Sequence, residues 1–336
     1  MRISLFVIIA CIFFSCEQDP TVPLGKGNFI DISTNDVSNI QDSRASTGIA
    51  ITNITPQFVI QERGVCWSTE SNPTILDSYL LATTNISNVI LRDLMPGKKY
   101  YVRSFARING IYTYGNQKEF ETSLINSSLN SGLITLLPLN GDSRDYSASG
   151  NSLTGSATKA VGRTGVINSA YTFNGSNNFL SVLSPRNIPI NNGAYSISVW
   201  FRAGIWNREM TIMGYGPSNI PFACNYVKTL TNRGMVHYHW NFDNQFINNS
   251  YSGIWTHLVI TYDGGTERYY INGTLISVWA HPTRPLIITP SILSLGARVV
   301  NASANDAREY FNGSIDELRI YNRTLNSAEI VSLYNL

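Results

Sequence analysis

The 336 residues include 11% aromatic and only 14% charged side chains, which is too apolar and too aromatic for a disordered chain. Soluble domains are about one-quarter charged, so the polarity here comes instead from Asn, Ser, Thr and Gly, which favour strands and turns and argue against an all-helical protein. A formal net charge of +2 without a clustered run of Lys and Arg removes the electrostatic case for a nucleic-acid partner, and the length allows roughly two domains of 100–200 residues.

Arg2 is followed by an apolar run from Ile3 to Phe14, about half of the ~20 residues that a membrane-spanning helix needs. The polar stretch Glu17-Gln18-Asp19-Pro20 comes next, so residues 1–15 read as an export signal. The ending Phe13-Phe14-Ser15-Cys16 resembles a bacterial lipobox, with Phe13 and Phe14 in place of the usual leucine and small residues. That resemblance implies lipidation of Cys16, a tether over 16–26, and an exported chain anchored at the bacterial outer membrane or cell surface. Membrane contact would then run through the anchor alone; an uncleaved hydrophobic anchor is the alternative. Cys66 and Cys224 stand far apart in the sequence without zinc-type spacing, and read as buried small hydrophobes rather than a disulfide.

Residues 27–123 show short alternating runs at Ala45–Thr52, Ile60–Ser68, Asn85–Leu91, Tyr100–Ile108 and Tyr112–Glu121, the spacing of an antiparallel sandwich. Leu94-Met95-Pro96-Gly97-Lys98-Lys99-Tyr100 resembles the tyrosine corner of fibronectin type III domains. The run Glu62–Ser68, Asn72-Pro73, Phe105-Ala106-Arg107 and Tyr114-Gly115 is similar to the fibronectin-like modules of bacterial surface lipoproteins. A spacer is the role this implies. Arg63, Trp67, Arg103 and Arg107 are more readily packed along their stems than aligned as a binding stripe.

The Ser/Asn-rich residues 124–131 read as a linker. Within 132–336, Tyr195–Arg202 alternates with Ile197, Val199 and Phe201 on one face and Ser196, Ser198, Trp200 and Arg202 on the other. Trp255–Tyr262, Glu267–Ile271 and Thr274–Val278 continue as strands through the turns Asp263-Gly264-Gly265 and Asn272-Gly273. Asn326-Ser327-Ala328-Glu329 is a capping box opening a short helix through Tyr334, docked by Ile330, Leu333 and Tyr334.

Leu137-Pro138-Leu139-Asn140-Gly141-Asp142, Ala170–Gly175, Ser198–Phe201, Trp255–Val259, Tyr270–Gly273 and Phe311–Arg323 occur in the order seen in LamG-like jelly rolls. The segment is therefore similar to the concanavalin A-like lectin/glucanase superfamily, and the whole chain is expected to be all-β: a fibronectin type III-like sandwich followed by a jelly-roll sandwich with one short helix. Lectins, carbohydrate-binding modules, adhesion domains and glucanases share that sandwich, so the fold leaves the function open. The resemblance also implies a structural Ca2+ where the chain ends meet, with Asp145 and Asp316 at the matching acidic positions; shaping a turn and bonding backbone are the competing roles.

Glucanases of the superfamily carry Glu-x-Asp-x-Glu along one strand, and this chain has no such motif. Asp316 and Glu317 are adjacent, which on a regular strand sends them to opposite faces. Sugar binding needs aromatic platforms with polar neighbours. His237-Tyr238-His239-Trp240-Asn241-Phe242 supplies both, and when extended it places His237, His239 and Asn241 opposite Tyr238, Trp240 and Phe242. Trp206, Tyr215, Trp279 and His281 fall near expected loops. The ligand-binding candidates are thus Trp206, Tyr215, His237, His239, Trp240 and Trp279, weighed against core roles for each ring. The leading expectation is a non-catalytic surface protein that binds a glycan or extracellular protein. A glycoside hydrolase or accessory component, and a protein-protein adhesion module, are the alternatives.

Overall fold

A computed structural model describes residues 30–124, 127–204, 206–217, 219–231, 234–240, 243–247, 251–281, 285–289, 291–300 and 306–336. The export signal, Cys16 and the tether lie outside the described residues. Their regular structure is almost entirely strand, with one α-helix among the described residues, Ser327–Tyr334.

Two sheets make the first sandwich. Asp31–Thr34, Ala45–Thr52 and Ile86–Leu91 form one; Ser78–Leu81, Ile60–Ser68, Lys99–Ile108 and Ile111–Tyr114 form the other, with Lys118–Glu121 also paired to Lys99–Ile108. Ile49, Val65, Leu91 and Val102 fill the space between them. Leu94 is buried, and the Met95 N–H donates to the Tyr100 hydroxyl at 2.9 Å. The alternation in Tyr112–Glu121 predicts one strand, but the structure has two, because residues 115–117 turn aside to meet Thr34. The Thr34 N–H donates to Asn116 Oδ1 at 3.0 Å and its hydroxyl donates to the Asn116 carbonyl at 2.6 Å. Glycine is required at 115, where a Cβ would stand 2.4 Å from Ser104 Oγ.

The second sandwich stacks a seven-stranded sheet on an eight-stranded one. The first runs Thr154–Ser156, Phe179–Leu183, Ile292–Leu295, Met210–Tyr215, Asn225–Thr229, Met235–Tyr238, Asp243–Ile247. The second runs Thr158–Ala160, Ala170–Asn174, Asn312–Tyr321, Tyr195–Ala203, Thr256–Tyr262, Thr266–Ile271, Thr274–Ala280, with Leu133–Leu137 also paired to Asn312–Tyr321. Ile197, Val199 and Phe201 face the shared core, as their alternation requires. On the opposite face Trp200 stacks on His257 and on Tyr334, with centroids 4.9 and 5.7 Å apart. The helix begins at a complete Asn326/Glu329 capping box and buries Ile330 and Leu333 against Val259 and Tyr321.

A β-bulge corrects the reading of Asp316 and Glu317. Val199 pairs with Leu318 but Trp200 pairs with Asp316, leaving Glu317 without a partner in the ladder at φ 41°. The extra residue turns both carboxylates to one cation: Arg163 reaches Asp316 at 3.0 Å and Glu317 at 2.9 Å. Arg319 also bonds Glu317, at 2.6 Å. From the first sandwich, Asp93 approaches Arg163 at 3.7 Å and accepts from the Thr164 hydroxyl at 2.5 Å. The same loop inserts Val166 into the first sandwich's core, and the Ile167 N–H donates to the Tyr79 carbonyl at 3.1 Å.

Asp93, Asp316 and Glu317 outnumber the two guanidinium groups beside them. Burial, with the neighbouring negative charges of Asp93 and Glu317, pushes the Asp316 carboxyl up to about 7 against the pull of Arg163. Because the folded value lies above the unfolded 3.8, the stabilisation from Asp316 is complete below about pH 4 and is lost as pH rises toward 7. Asp316→Asn keeps an uncharged acceptor for Arg163 and is expected to flatten this part of the stability profile, raising stability at pH 8 by on the order of 1–3 kcal/mol. Denaturant unfolding across pH 4–8 measures it, and a parallel loss in both proteins would mean that Asp316 is ionised in the fold throughout.

Candidate functional site

The aromatic candidates divide between interior and surface. Trp206 is 5% exposed, its indole N–H donates to the Gly234 carbonyl at 3.1 Å, and its ring tilts against Phe201. Tyr215 is fully buried, with its hydroxyl accepting from Asn225 Nδ2 at 2.8 Å. Both rings are therefore closed to an external ligand. Trp240 is half-buried. Its backbone is left-handed, at φ 56°, which costs a bulky residue roughly 1–3 kcal/mol and persists only where its surroundings impose it. The Phe222 N–H helps impose it by donating to the Trp240 carbonyl at 3.2 Å. The indole meets the edge of Tyr238 at 5.9 Å, and Lys228 Nζ lies 4.2 Å from the Tyr238 ring centre. Asp243 faces Tyr238 across the ladder. Trp279 is 40% exposed on Thr274–Ala280, the last strand of its sheet among the described residues, beside exposed Leu275, Ile276 and Val278.

His237 and His239 do share one face, but it is the inner one. Tyr238 and Trp240 take the outer side, so the two imidazoles are fully buried between the sheets. There they meet Glu267 from the opposite sheet, with His237 Nδ1 3.1 Å and His239 Nε2 2.7 Å from Glu267 Oε1. The Tyr195 hydroxyl donates to Oε1 at 2.9 Å, Asn244 Nδ2 donates to Oε2 at 2.6 Å, and the Tyr269 hydroxyl also donates to Oε2. His281 Nε2 lies 3.4 Å from Oε2.

Burial opposes charge on Glu267, His237, His239, Tyr195 and Tyr269, and the partners decide the outcome. For Glu267 the two imidazoles outweigh burial and hold the carboxyl well below its ordinary range. Burial, aided by the neighbouring imidazoles, lowers His237 to about 4 despite Glu267. For His239 burial is overcome by Glu267, and its value rises. Burial and then the Glu267 charge raise Tyr195 and Tyr269, which keeps their hydroxyl hydrogens available for donation.

The sequence reading missed Glu267, Asn244, Tyr195 and Tyr269. Two signals pointed to them: all four of the chain's histidines lie within residues 237–281, and Glu267 shares its strand's inward alternation with Tyr269 and Ile271.

Asp145 and Asp316, the residues expected to hold Ca2+, both have protein partners. Asp145 Oδ1 accepts from the Leu136 and Ser147 N–H groups at 2.8 Å each, while Oδ2 accepts from the Asn151 N–H at 2.6 Å and the Ser147 hydroxyl at 2.9 Å. Those bonds shape a turn. Asp316 faces Arg163, and a guanidinium repels a cation.

The sequence profile of the family Laminin_G_3, described as the concanavalin A-like lectin/glucanases superfamily, matches residues 142–331. No curated protein matches the chain. Among solved structures it is similar to domain 4 of AbnA, a GH43 extracellular arabinanase from Geobacillus stearothermophilus in complex with arabinotriose, at 20% identity over 61% of this chain and 98% of that one, with a TM-score of 0.47. It is also similar to the binding domain of Paraclostridial Mosquitocidal Protein 1, at 19% identity over 62% and 52% of the respective chains with a TM-score of 0.48. The binding domain of Botulinum Neurotoxin DC in complex with SialylT gives 18%, 62%, 52% and 0.48 in the same terms. The chain spans about half of each toxin domain, and these likenesses concern the fold alone.

Truncating Glu267 would strand two buried imidazoles and three hydrogen-bond donors. Glu267→Ala is expected to cost about 3–5 kcal/mol of stability, read as a fall in the denaturant midpoint at unchanged slope; a loss below about 1 kcal/mol would mean that the cluster is not held by this carboxylate.

Proposed function

The chain belongs to the concanavalin A-like lectin/glucanases superfamily, and from that membership we propose that it is a non-catalytic, exported surface lipoprotein that binds carbohydrate through its second sandwich. The observation that carries this reading is the Tyr238/Trp240 pair. A half-buried indole, held at a strained backbone angle, stands edge-on to a tyrosine whose ladder partner is Asp243. Ring faces stack on the CH faces of a pyranose, and the flanking polar groups take its hydroxyls. Trp279 is a second exposed ring on the same sandwich.

The non-catalytic part is supported by the use made of the acids. Asp316 and Glu317 hold Arg163, and Glu267 is closed within the interior. A fibronectin type III-like spacer is supported by the first sandwich's strand order and by the Tyr100 hydroxyl accepting from the turn. Phe13-Phe14-Ser15-Cys16 supports the lipid anchor.

Glycan-array binding tests the main claim. Trp240→Ala is expected to weaken retained glycans tenfold or more, about 1.4 kcal/mol, with the unfolding midpoint preserved. Release of reducing sugar by the wild-type chain would favour a hydrolase, and capture of a surface protein with no glycan retained would favour an adhesion module. The anchor has a separate readout: Cys16→Ala is expected to release the chain from the membrane fraction, and unchanged membrane association would remove the lipoprotein reading.

A further inference from the structure

The buried histidines have a hydrogen-bond pattern that fixes which nitrogen faces which way. His239 Nδ1 lies 2.8 Å from the Cys224 carbonyl. A carbonyl only accepts, so Nδ1 carries the hydrogen, and in the neutral ring that a metal would bind Nε2 turns a lone pair inward. His237 Nε2 meets Asn225 Oδ1, the amide being oriented by its Nδ2 donating to the Tyr215 hydroxyl at 2.8 Å. Its Nδ1 therefore also presents a lone pair inward. Both nitrogens converge on the same carboxylate oxygen, Glu267 Oε1. Three electron-rich atoms meeting in a closed interior repel one another unless a positive species lies among them. A single proton bridges only one pair.

The three ligand atoms lie within 4.8 Å of one another. In a tetrahedral zinc site with bonds of about 2.0–2.2 Å the ligand atoms stand roughly 3.3–3.6 Å apart. Contacts of 2.7 and 3.1 Å therefore need to widen only slightly to admit an ion. Two imidazoles and a carboxylate suit zinc and its first-row neighbours. The Cys224 carbonyl and Asn225 amide sit where outer-shell acceptors orient metal-bound histidines.

We propose that His237 Nδ1, His239 Nε2 and the Glu267 carboxylate form a structural site for a divalent first-row transition metal, zinc foremost, which clamps the two sheets of the second sandwich. His281 Nε2, 3.4 Å from Glu267 Oε2, is a further imidazole nitrogen for the fourth position. The claim is independent of the glycan-binding surface on the outer side. Because the cluster is closed, the ion enters as the chain folds, and its binding energy adds to folding.

The test is elemental analysis and native mass spectrometry of the full chain produced in zinc-supplemented medium and dialysed against zinc-free buffer. One tightly held zinc per chain is expected, with an X-ray absorption spectrum showing nitrogen and oxygen ligands at about 2.0–2.1 Å. Asn225→Ala, which leaves all three ligands in place, is expected to weaken zinc about 10–100-fold. The double variant His237→Gln/His239→Gln is expected to hold none, whereas His257→Gln, on the other face of the eight-stranded sheet, retains it. Substoichiometric metal in the folded wild-type chain would overturn the proposal and leave a proton-held network. A full equivalent surviving in the double variant, or sulfur in the coordination shell, would overturn it too.

Discussion

The strand Asn312–Tyr321 carries one extra residue, Glu317, in its ladder with Tyr195–Ala203, and much of the molecule's internal geometry follows from it. On an unbroken strand Asp316 and Glu317 would diverge, and one carboxylate would face the apolar core. The bulge brings both to Arg163, which also stands 5.2 Å from the Trp200 ring centre. Once Arg163 is held, its loop is held. Val166 then reaches the first sandwich's interior, and Asp93 closes the charge cluster from the other side. A local irregularity in one ladder thus becomes a joint between two separately stacked pairs of sheets.

Sequence showed most where the physics is local. The period of two in Tyr195–Arg202 gives the correct inner and outer residues, because pleating alone sets it. Asn272 and Gly273 turn with φ of 50° and 78°, as residues that tolerate left-handed backbone do. The capping box Asn326/Glu329 forms from four consecutive residues. Features that depend on distant partners were not visible. Nothing near residue 317 announces a bulge, since its cause is Arg163, over 150 positions away. The break after Tyr114 likewise depends on Thr34.

The histidines illustrate the same limit. Spacing alone put His237 and His239 together, but which side of a strand faces inward depends on what the other sheet presents. Here it presents Glu267 and Tyr269, so the polar side turns in and the aromatic side turns out. Buried polar groups are tolerated only when each finds partners, and this cluster supplies them from both sheets. The outer side is left with Tyr238 and Trp240, and so one short strand serves an interior polar cluster and a surface aromatic pair at once.

Thr274–Ala280 pairs on one side with Thr266–Ile271 and on the other meets no strand among the described residues, an uncharged stretch rich in β-branched and large apolar residues and free of proline. An unpaired backbone rim of this kind templates a further strand wherever one is offered. At high concentration in free solution, copies of the chain would zip rim to rim, and a single lysine at Ile276 is the smallest change that would discourage it.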